Sequence, residues 1–466
     1  MFEDEDEGGF YEGDLNEDLS IFENFLNNGE ISFLDSDRLE AIIDHYLITN
    51  QYKKAVKCAE HALTQFSYNT LFSLRLAQGM GAQGQLKEAL EILSTIEKAE
   101  STNIEVLLTK ASIFSQLRDS KNAIKYFKLA LQYSDAEERD DIYLDIAMEY
   151  ENQKDYKAAL EVLKEAIKNN PKNEGAIYEI AFCFDQLMEY DKAIKSYLDF
   201  IDENPYSFTA WYNLGNAYSK SENFEKAIWA YDYCIIINEE FGPVYFNIGN
   251  AYLSQENYLK AIESFNKCME LDGEDPLALS YIGEAYEQLG ELKLAQEYYK
   301  QSIDLSPYLP DAWLGLGIVE DLLGNTRGAI NLILKAAELD PENASIYCVL
   351  ATAYEKLEEY DLALENFFLS LELDPDDNDC LVSYVKLRAK VSVLETYEYL
   401  ENKYHNKTAG TPLLLKINLL WKLGRKEEAK HLFHFSVMHD KLKSKELFDL
   451  FPELLEASEL LQIADN

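Results

Sequence analysis

A chain of 466 residues, 47% of them hydrophobic, has apolar material for a continuous core, and its 42 Lys and Arg against 85 Asp and Glu leave a formal charge of −43. That charge strongly disfavours phosphate neutralisation on nucleic acid and docking on an anionic membrane surface, while a basic protein partner is compatible with it. No apolar run approaches the ~20 residues of a membrane span, and the acidic start lacks the basic and apolar stretches of a secretory signal, so the chain is expected to stay in the cytoplasm.

Residues 1–18 read as an acidic disordered tail, since 13 acidic residues precede the first base, Arg38. Residues 19–35 read as an N-terminal capping helix, because Leu19, Phe22, Phe25 and Leu26 have amphipathic spacing. Beyond them a small residue recurs at Ala55, Ala89, Ala123, Ala159, Ala193, Ala227, Ala261, Ala295, Ala329 and Ala363, at intervals of 34 residues broken once by an interval of 36. Pro171, Pro205, Pro307, Pro341 and Pro375 keep the same register. Within one period, Trp211, Leu214, Gly215, Tyr218, Ala227 and Tyr231 are answered 34 residues later by Tyr245, Ile248, Gly249, Tyr252, Ala261 and Phe265.

This order of a large residue, Leu or Ile, Gly, Tyr, then Ala and an aromatic resembles the tetratricopeptide repeat, a helix-turn-helix unit of that length. The resemblance implies an all-α, right-handed α-solenoid of about twelve units with terminal capping helices. Residues 36–377 hold ten units, starting at 36, 70, 104, 140, 174, 208, 242, 276, 310 and 344. Each first helix presents mostly apolar residues at its fourth, seventh, eighth and eleventh sites, one face of a helix. Small residues at Gly215, Gly249, Gly283 and Gly317 are expected where the two helices of a unit approach closely.

Residues 378–443 read as two divergent units, the first of them irregular because Tyr397 stands where the small residue belongs. Residues 444–466 read as C-terminal capping helices, with Pro452 to Ala464 forming one of them.

Chemistry-bearing patterns are sparse. The six cysteines are scattered without a CxxC pair, and Cys234 and Cys268 fall at a place held by Ala or Ser elsewhere, so they read as small core residues. His431, His434 and His439 lack the four-residue spacing of zinc helices. No catalytic, metal or cofactor residues are expected, and no phosphate loop or nucleophile elbow is present. The chain is not expected to be an enzyme.

In the family's architecture the first helices line a concave face that binds peptides. Carried over by position, the inward residues near the centre are Tyr178, Glu179, Phe182, Asp185, Tyr212, Asn213, Asn216, Phe246, Asn247 and Asn250. Asn213 and Asn247 resemble part of the asparagine ladder of O-linked N-acetylglucosamine transferases, in which amides grip a peptide backbone. The paired Lys and Asn of the carboxylate clamp in chaperone co-factors give way here to acids, so a carboxylate ligand is disfavoured. The expectation is a scaffold or adaptor that holds a basic, aromatic or apolar protein segment in an acidic groove. The alternative is a regulatory receptor whose superhelix responds to a small peptide or metabolite. Oligomeric state is left open.

Overall fold

A computed structural model describes residues 12–28, 34–136, 138–405, 409–439 and 442–464. Among these residues all regular structure is helical, with 27 α-helices and one short 3-10 helix. They group into two compact halves, Met1–Glu239 and Glu240–Asn466.

In the first half a helix over Glu12–Asn28 precedes six hairpins. Their first helices are Ser36–Ile48, Thr70–Ala82, Ile104–Gln116, Arg139–Asn152, Glu174–Leu187 and Phe208–Lys220, and each is followed by a second helix of 14 residues, the last being Phe224–Ile237. The second half begins with four more hairpins, whose first helices are Gly242–Ser254, Pro276–Gln288, Pro310–Leu322 and Ala344–Lys356. Within each half, every second helix packs on its own first helix and on the first helix of the following hairpin.

Local chemistry starts and stops these helices. Asn69, Asn103, Asn173, Ser207, Asp275, Asn343 and Asp377 each stand one residue before a first helix and accept a backbone N–H of its first turn. At the hairpin bend one residue always adopts positive φ: Asn50, Gly84, Arg118, Lys154, Met188, Glu222, Glu256, Gly290, Gly324 and Glu358. The next residue donates its N–H to a carbonyl five residues back, as Asn223 does to Tyr218 at 2.9 Å, which closes the helix end. Only three of the ten are Gly, so the other side chains bear left-handed backbone that disfavours them. Met188 is the most hydrophobic of these and stands 77% exposed, with little packing to lose. Met188→Gly is therefore expected to stabilise the first half by up to about 1 kcal/mol, read as a higher urea midpoint.

The seam of each hairpin is built on the recurring Ala, and all ten, from Ala55 to Ala363, are buried. The recurring Gly serves a ring more than a backbone approach. A Cβ on Gly215 would lie 2.3 Å from the Tyr231 ring, and one on Gly249 would lie 2.6 Å from Phe265. Adjacent repeats are tied by the loop prolines: the Trp211 and Trp313 indoles donate to the Pro205 and Pro307 carbonyls, both at 2.9 Å.

Three expectations change at the ends. The N-terminal helix begins at Glu12, so residues 12–18 are helical rather than tail. Asp18 is buried and paired with Arg38, which removes the repulsion that made this stretch look unable to fold. Residues 1–11 of the expected tail and residues 29–33 of the expected cap lie outside the described residues.

In the hairpin of helices Asn378–Val391 and Val393–Lys403, the bend shrinks to the single residue Ser392. The small position moves back by one, and Thr396, fully buried, fills it in place of Tyr397. Tyr397 instead lies beneath the Arg425 guanidinium, 5.2 Å from its ring centre.

Helices Thr411–Lys422 and Lys426–His439 form the last hairpin. The expected helix from Pro452 to Ala464 is broken: a 3-10 turn, Pro452–Glu456, is followed by a two-turn helix, Ser458–Ala464. The break at Ala457 lets both Leu454 and Leu460 enter the terminal core, which one straight helix would not allow.

Candidate functional site

The first helices carry the expected inward residues. Tyr178, Glu179, Phe182 and Asp185 lie on Glu174–Leu187, and Tyr212, Asn213 and Asn216 lie on Phe208–Lys220, all in the first half. Phe246, Asn247 and Asn250 lie on Gly242–Ser254 in the second half.

Tyr178 is 66% and Phe182 41% exposed, so both rings can meet a ligand. Asn213 is buried, and its amide sits 3.5 Å from the Ile177 carbonyl of the preceding first helix, so its donor works inside the fold. Asn216 is half-buried and accepts the Tyr231 hydroxyl at 2.8 Å. Phe246 is half-buried and meets Phe265 edge-on, 5.5 Å between ring centres. Asn247 and Asn250 are half-buried.

Cations on this face are spoken for by the neighbouring repeat. Lys220 pairs with Asp185 in the first half, while in the second half Lys356 pairs with Asp321 and Lys390 with Glu355, each partner 35 residues earlier. Arg75 bridges Asp44, at 2.6 Å, and Glu105. These half-exposed pairs set register between repeats and are worth little individually, about 0–1 kcal/mol each.

One group of carboxylates in the first half has no such partner. Asp141, Asp145 and Glu149 follow one another at four-residue steps along Arg139–Asn152, which puts them in one row with Cβ atoms about 6 Å apart. They line a cavity of about 590 Å³ together with Glu105, Leu108, Ile113 and Phe127. Burial, then repulsion from Asp141 and Glu149, pushes the Asp145 carboxyl up to about 6. Glu149 is 3% exposed and opens onto the same cavity, and among the described residues its carboxylate has no hydrogen bond or ion pair. The next first helix continues the strip: burial, then Glu151, raises the Glu179 carboxyl as well.

Glu149 was not among the expected inward residues, yet its signal was present. The same site in other repeats holds Gly79, Ile113, Cys183, Ala217, Ala251, Ala285, Val319 and Ala353, all buried and small or apolar, with the half-buried His45 of the first repeat as the exception. A Glu there breaks the packing pattern. A smaller acidic group in the second half joins Glu284, Glu287 and Asp311, where burial, then Asp311, raises Glu284.

The site is thus an acidic, partly apolar surface on first helices stacked by 34-residue hairpins, which defines a helical-hairpin repeat protein. Residues 242–307, 196–228 and 332–365 match tetratricopeptide repeat models, and residues 116–200 match the model described as anaphase-promoting complex, cyclosome, subunit 3. The chain belongs to the tetratricopeptide repeat family.

Among solved structures, the APC/C hetero-tetramer Cut9-Hcn1 is similar at 17% identity, covering 95% of this chain and 98% of that one with a TM-score of 0.42. YrrB, a TPR protein with an unusual peptide-binding site, is similar at 23% identity over 41% of this chain and 98% of its own, with a TM-score of 0.32. MamA is similar at 26% identity over 35% of this chain and 95% of its own, with a TM-score of 0.31. No curated protein matches the chain. Among the described residues no helix is long and apolar enough to cross a membrane.

Proposed function

We propose that this chain is a non-enzymatic interaction scaffold whose first-helix face takes a protein segment carrying Lys or Arg beside aromatic or apolar side chains. The observation that carries the reading is the cavity lined by Asp141, Asp145 and Glu149, none of which has an ion pair among the described residues. Three carboxylates in one row repel one another, and an incoming ammonium or guanidinium would relieve that repulsion by direct pairing.

Exposed Tyr178 and Phe182 supply ring surface for apolar anchors, with Glu179 between them and Asp185 at the far end of the helix. Tyr212 and Asn216 extend the proposed contact surface within the first half, the buried Asn213 supporting it from inside the fold, while Phe246, Asn247 and Asn250 offer a separate proposed contact surface in the second half. The match of residues 116–200 to a subunit of a multiprotein complex supports a scaffolding role. The charge of −43 argues against nucleic acid and anionic lipid as partners and is compatible with a basic protein, and a cytoplasmic location is part of the proposal.

Fluorescence anisotropy with a labelled Lys/Leu/Tyr peptide and its Glu-for-Lys counterpart tests this. The basic peptide is expected to bind and the acidic one to fail. Affinity should fall steeply from about 0.1 M to about 1 M salt, as the screening length shortens from about 10 to about 3 Å. Asp141→Lys with Asp145→Lys is expected to weaken binding at least about tenfold, or ~1.4 kcal/mol. Glu165→Lys with Asp202→Lys, which makes the same change of net charge on exposed second-helix positions, is expected to do much less. Equal losses in the two double variants would reduce the effect to net charge and remove the site.

Proton linkage adds a second check. The folded Asp145 carboxyl titrates near 6, above the unfolded value of about 3.9. Its contribution to stability is therefore present below about pH 4 and lost as pH rises through about 6. Peptide affinity runs the other way, rising as Asp145 ionises to face the ligand's cation. Asp145→Asn should flatten both pH profiles in that window.

A further inference from the structure

The second half brings together residues that the spacing of cysteines left apart. Cys348 is on helix Ala344–Lys356, Cys380 is near the start of the next first helix, Asn378–Val391, and Asp377 is the residue that caps it. One ligand atom from each lies within 4.8 Å of the other two. We propose that Cys348, Asp377 and Cys380 form a three-ligand site for a thiophilic divalent cation, Zn²⁺, with water in the fourth position.

The donor set selects the metal class. Two sulfurs and one carboxylate suit Zn²⁺ in a tetrahedral arrangement that keeps one position open, whereas Ca²⁺ and Mg²⁺ require oxygen donors throughout. The other cysteines show the contrast: Cys234 and Cys268 are also buried, but they join no such group among the described residues.

The ligands are held before a metal arrives. Asp377 Oδ1 accepts the backbone N–H groups of Asp379 at 3.1 Å and Cys380 at 2.9 Å, which fixes the carboxylate plane. Its Oδ2 accepts no hydrogen bond among the described residues and remains available to a cation. Cys380 is fully buried, with Sγ 3.3 Å from Ser370 Oγ, and the Ser370 hydroxyl in turn donates to the Ala344 carbonyl at 2.9 Å. In the metal-free thiol form Cys380 is the donor to Ser370 Oγ, so this chain of contacts fixes the place of Cys380 Sγ before a metal binds. Cys348 and Asp377 are half-buried, and they open the site to solvent beside the exposed Asp374 and Asp376. The acidic loop favours approach of a cation.

Binding converts two thiols to thiolates and releases their protons to solvent, with no change of oxidation state. Its mechanical effect is to join the last regular hairpin to the divergent one, where the bend has lost its usual length.

The full chain, reduced and metal-free, tests the site with Co²⁺ and Zn²⁺ alone. One Co²⁺ per chain is expected to give thiolate-to-metal charge transfer in the near ultraviolet and the visible bands of four-coordinate cobalt, both abolished by Zn²⁺. Cys348→Ser and Asp377→Asn are each expected to weaken Zn²⁺ binding at least about tenfold, with circular dichroism showing the helices intact. Cys234→Ser should leave binding unchanged. A missing charge-transfer band, or one that survives Cys348→Ser, overturns the assignment. So does a reduced protein that takes up no Co²⁺ but joins Cys348 to Cys380 when exposed to glutathione disulfide, which would make the thiols a redox pair.

Discussion

Glu149→Ala is expected to strengthen the fold and weaken the grip on a basic peptide. In the native chain Glu149 opens onto the cavity without an ion pair among the described residues, one helical turn from the like charge of Asp145, a spacing that costs about 0.2–0.5 kcal/mol. The equivalent sites Ala217, Ala251 and Ala285 show that this geometry packs well around a methyl group. The first half should therefore gain roughly 0.5 kcal/mol, seen as a higher urea midpoint. The same change removes the deepest charge of the cavity, and affinity for the Lys/Leu/Tyr peptide should fall about tenfold, or ~1.4 kcal/mol. Opposite signs are the diagnostic, because a residue kept only for packing would lose stability when cut to Ala. Loss of stability together with unchanged binding would remove Glu149 from the site.

The second large effect is expected at Gly315, in the second half. Tyr299 is wedged between two glycines of successive first helices: a Cβ on Gly315 would lie 2.2 Å from Tyr299 Cζ, and one on Gly283 would lie 2.9 Å from Cδ1. The ring has no direction of retreat, and moving it also strains the bond from its hydroxyl to Glu287 at 3.1 Å. Gly315→Ala should gain about 1 kcal/mol of helix propensity and lose more to overpacking, for which about 1–3 kcal/mol is typical. The net loss should grow on going to Gly315→Val, and Trp313 on the same helix reports the local unfolding by its fluorescence. Tyr299→Leu should recover part of that loss in the Gly315→Val background, although alone it destabilises. Additive effects would show that the ring and the glycine are not in conflict. Gly84→Ala separates space from backbone: nothing lies within 4 Å of its Cβ position, so any cost there comes from its φ of +81°.

Parts of this molecule were legible in its residues. Ala227 and Ala261 announced the seam, and both are fully buried. Gly215 and Gly249 announced a tight approach, although the object approaching is an aromatic ring of the second helix. The all-helical hairpin class followed from these spacings.

Other features had no local signal. Lys154 and Glu222 do not advertise left-handed backbone, since nothing in those residue types asks for it, and the bend imposes it. Tyr397 misled because a bend two residues shorter after a first helix one residue longer than that of the preceding hairpin shifted the register by one, and only the packed hairpin shows Thr396 in its place. Acidic residues 12–18 looked like tail because the partner of Asp18 is Arg38, 20 residues away and across a helix contact.

The candidate site divides in the same way. Position within the repeat marked Tyr178 and Phe182, whose exposure follows from the face of the helix they occupy. It could not show that Asn213 is turned into the fold, or that Asp185 is matched by Lys220. Glu149 was readable as a charge at a place where its counterparts are Ala, Val or Cys, while Cys348 and Cys380 were not, being separated by nearly a full repeat.

By itself the sequence determined the helices, their hairpin period and the apolar face of each, because those depend on neighbours within a few turns of chain. Outside the three-residue-step pairs such as Lys164 with Glu161, tertiary structure alone decided which carboxylates are neutralised and which stand unpaired, because partners such as Lys220 for Asp185 come from an adjacent repeat. Coulomb energy depends on distance and burial, and in so acidic a chain neither can be read from residue order.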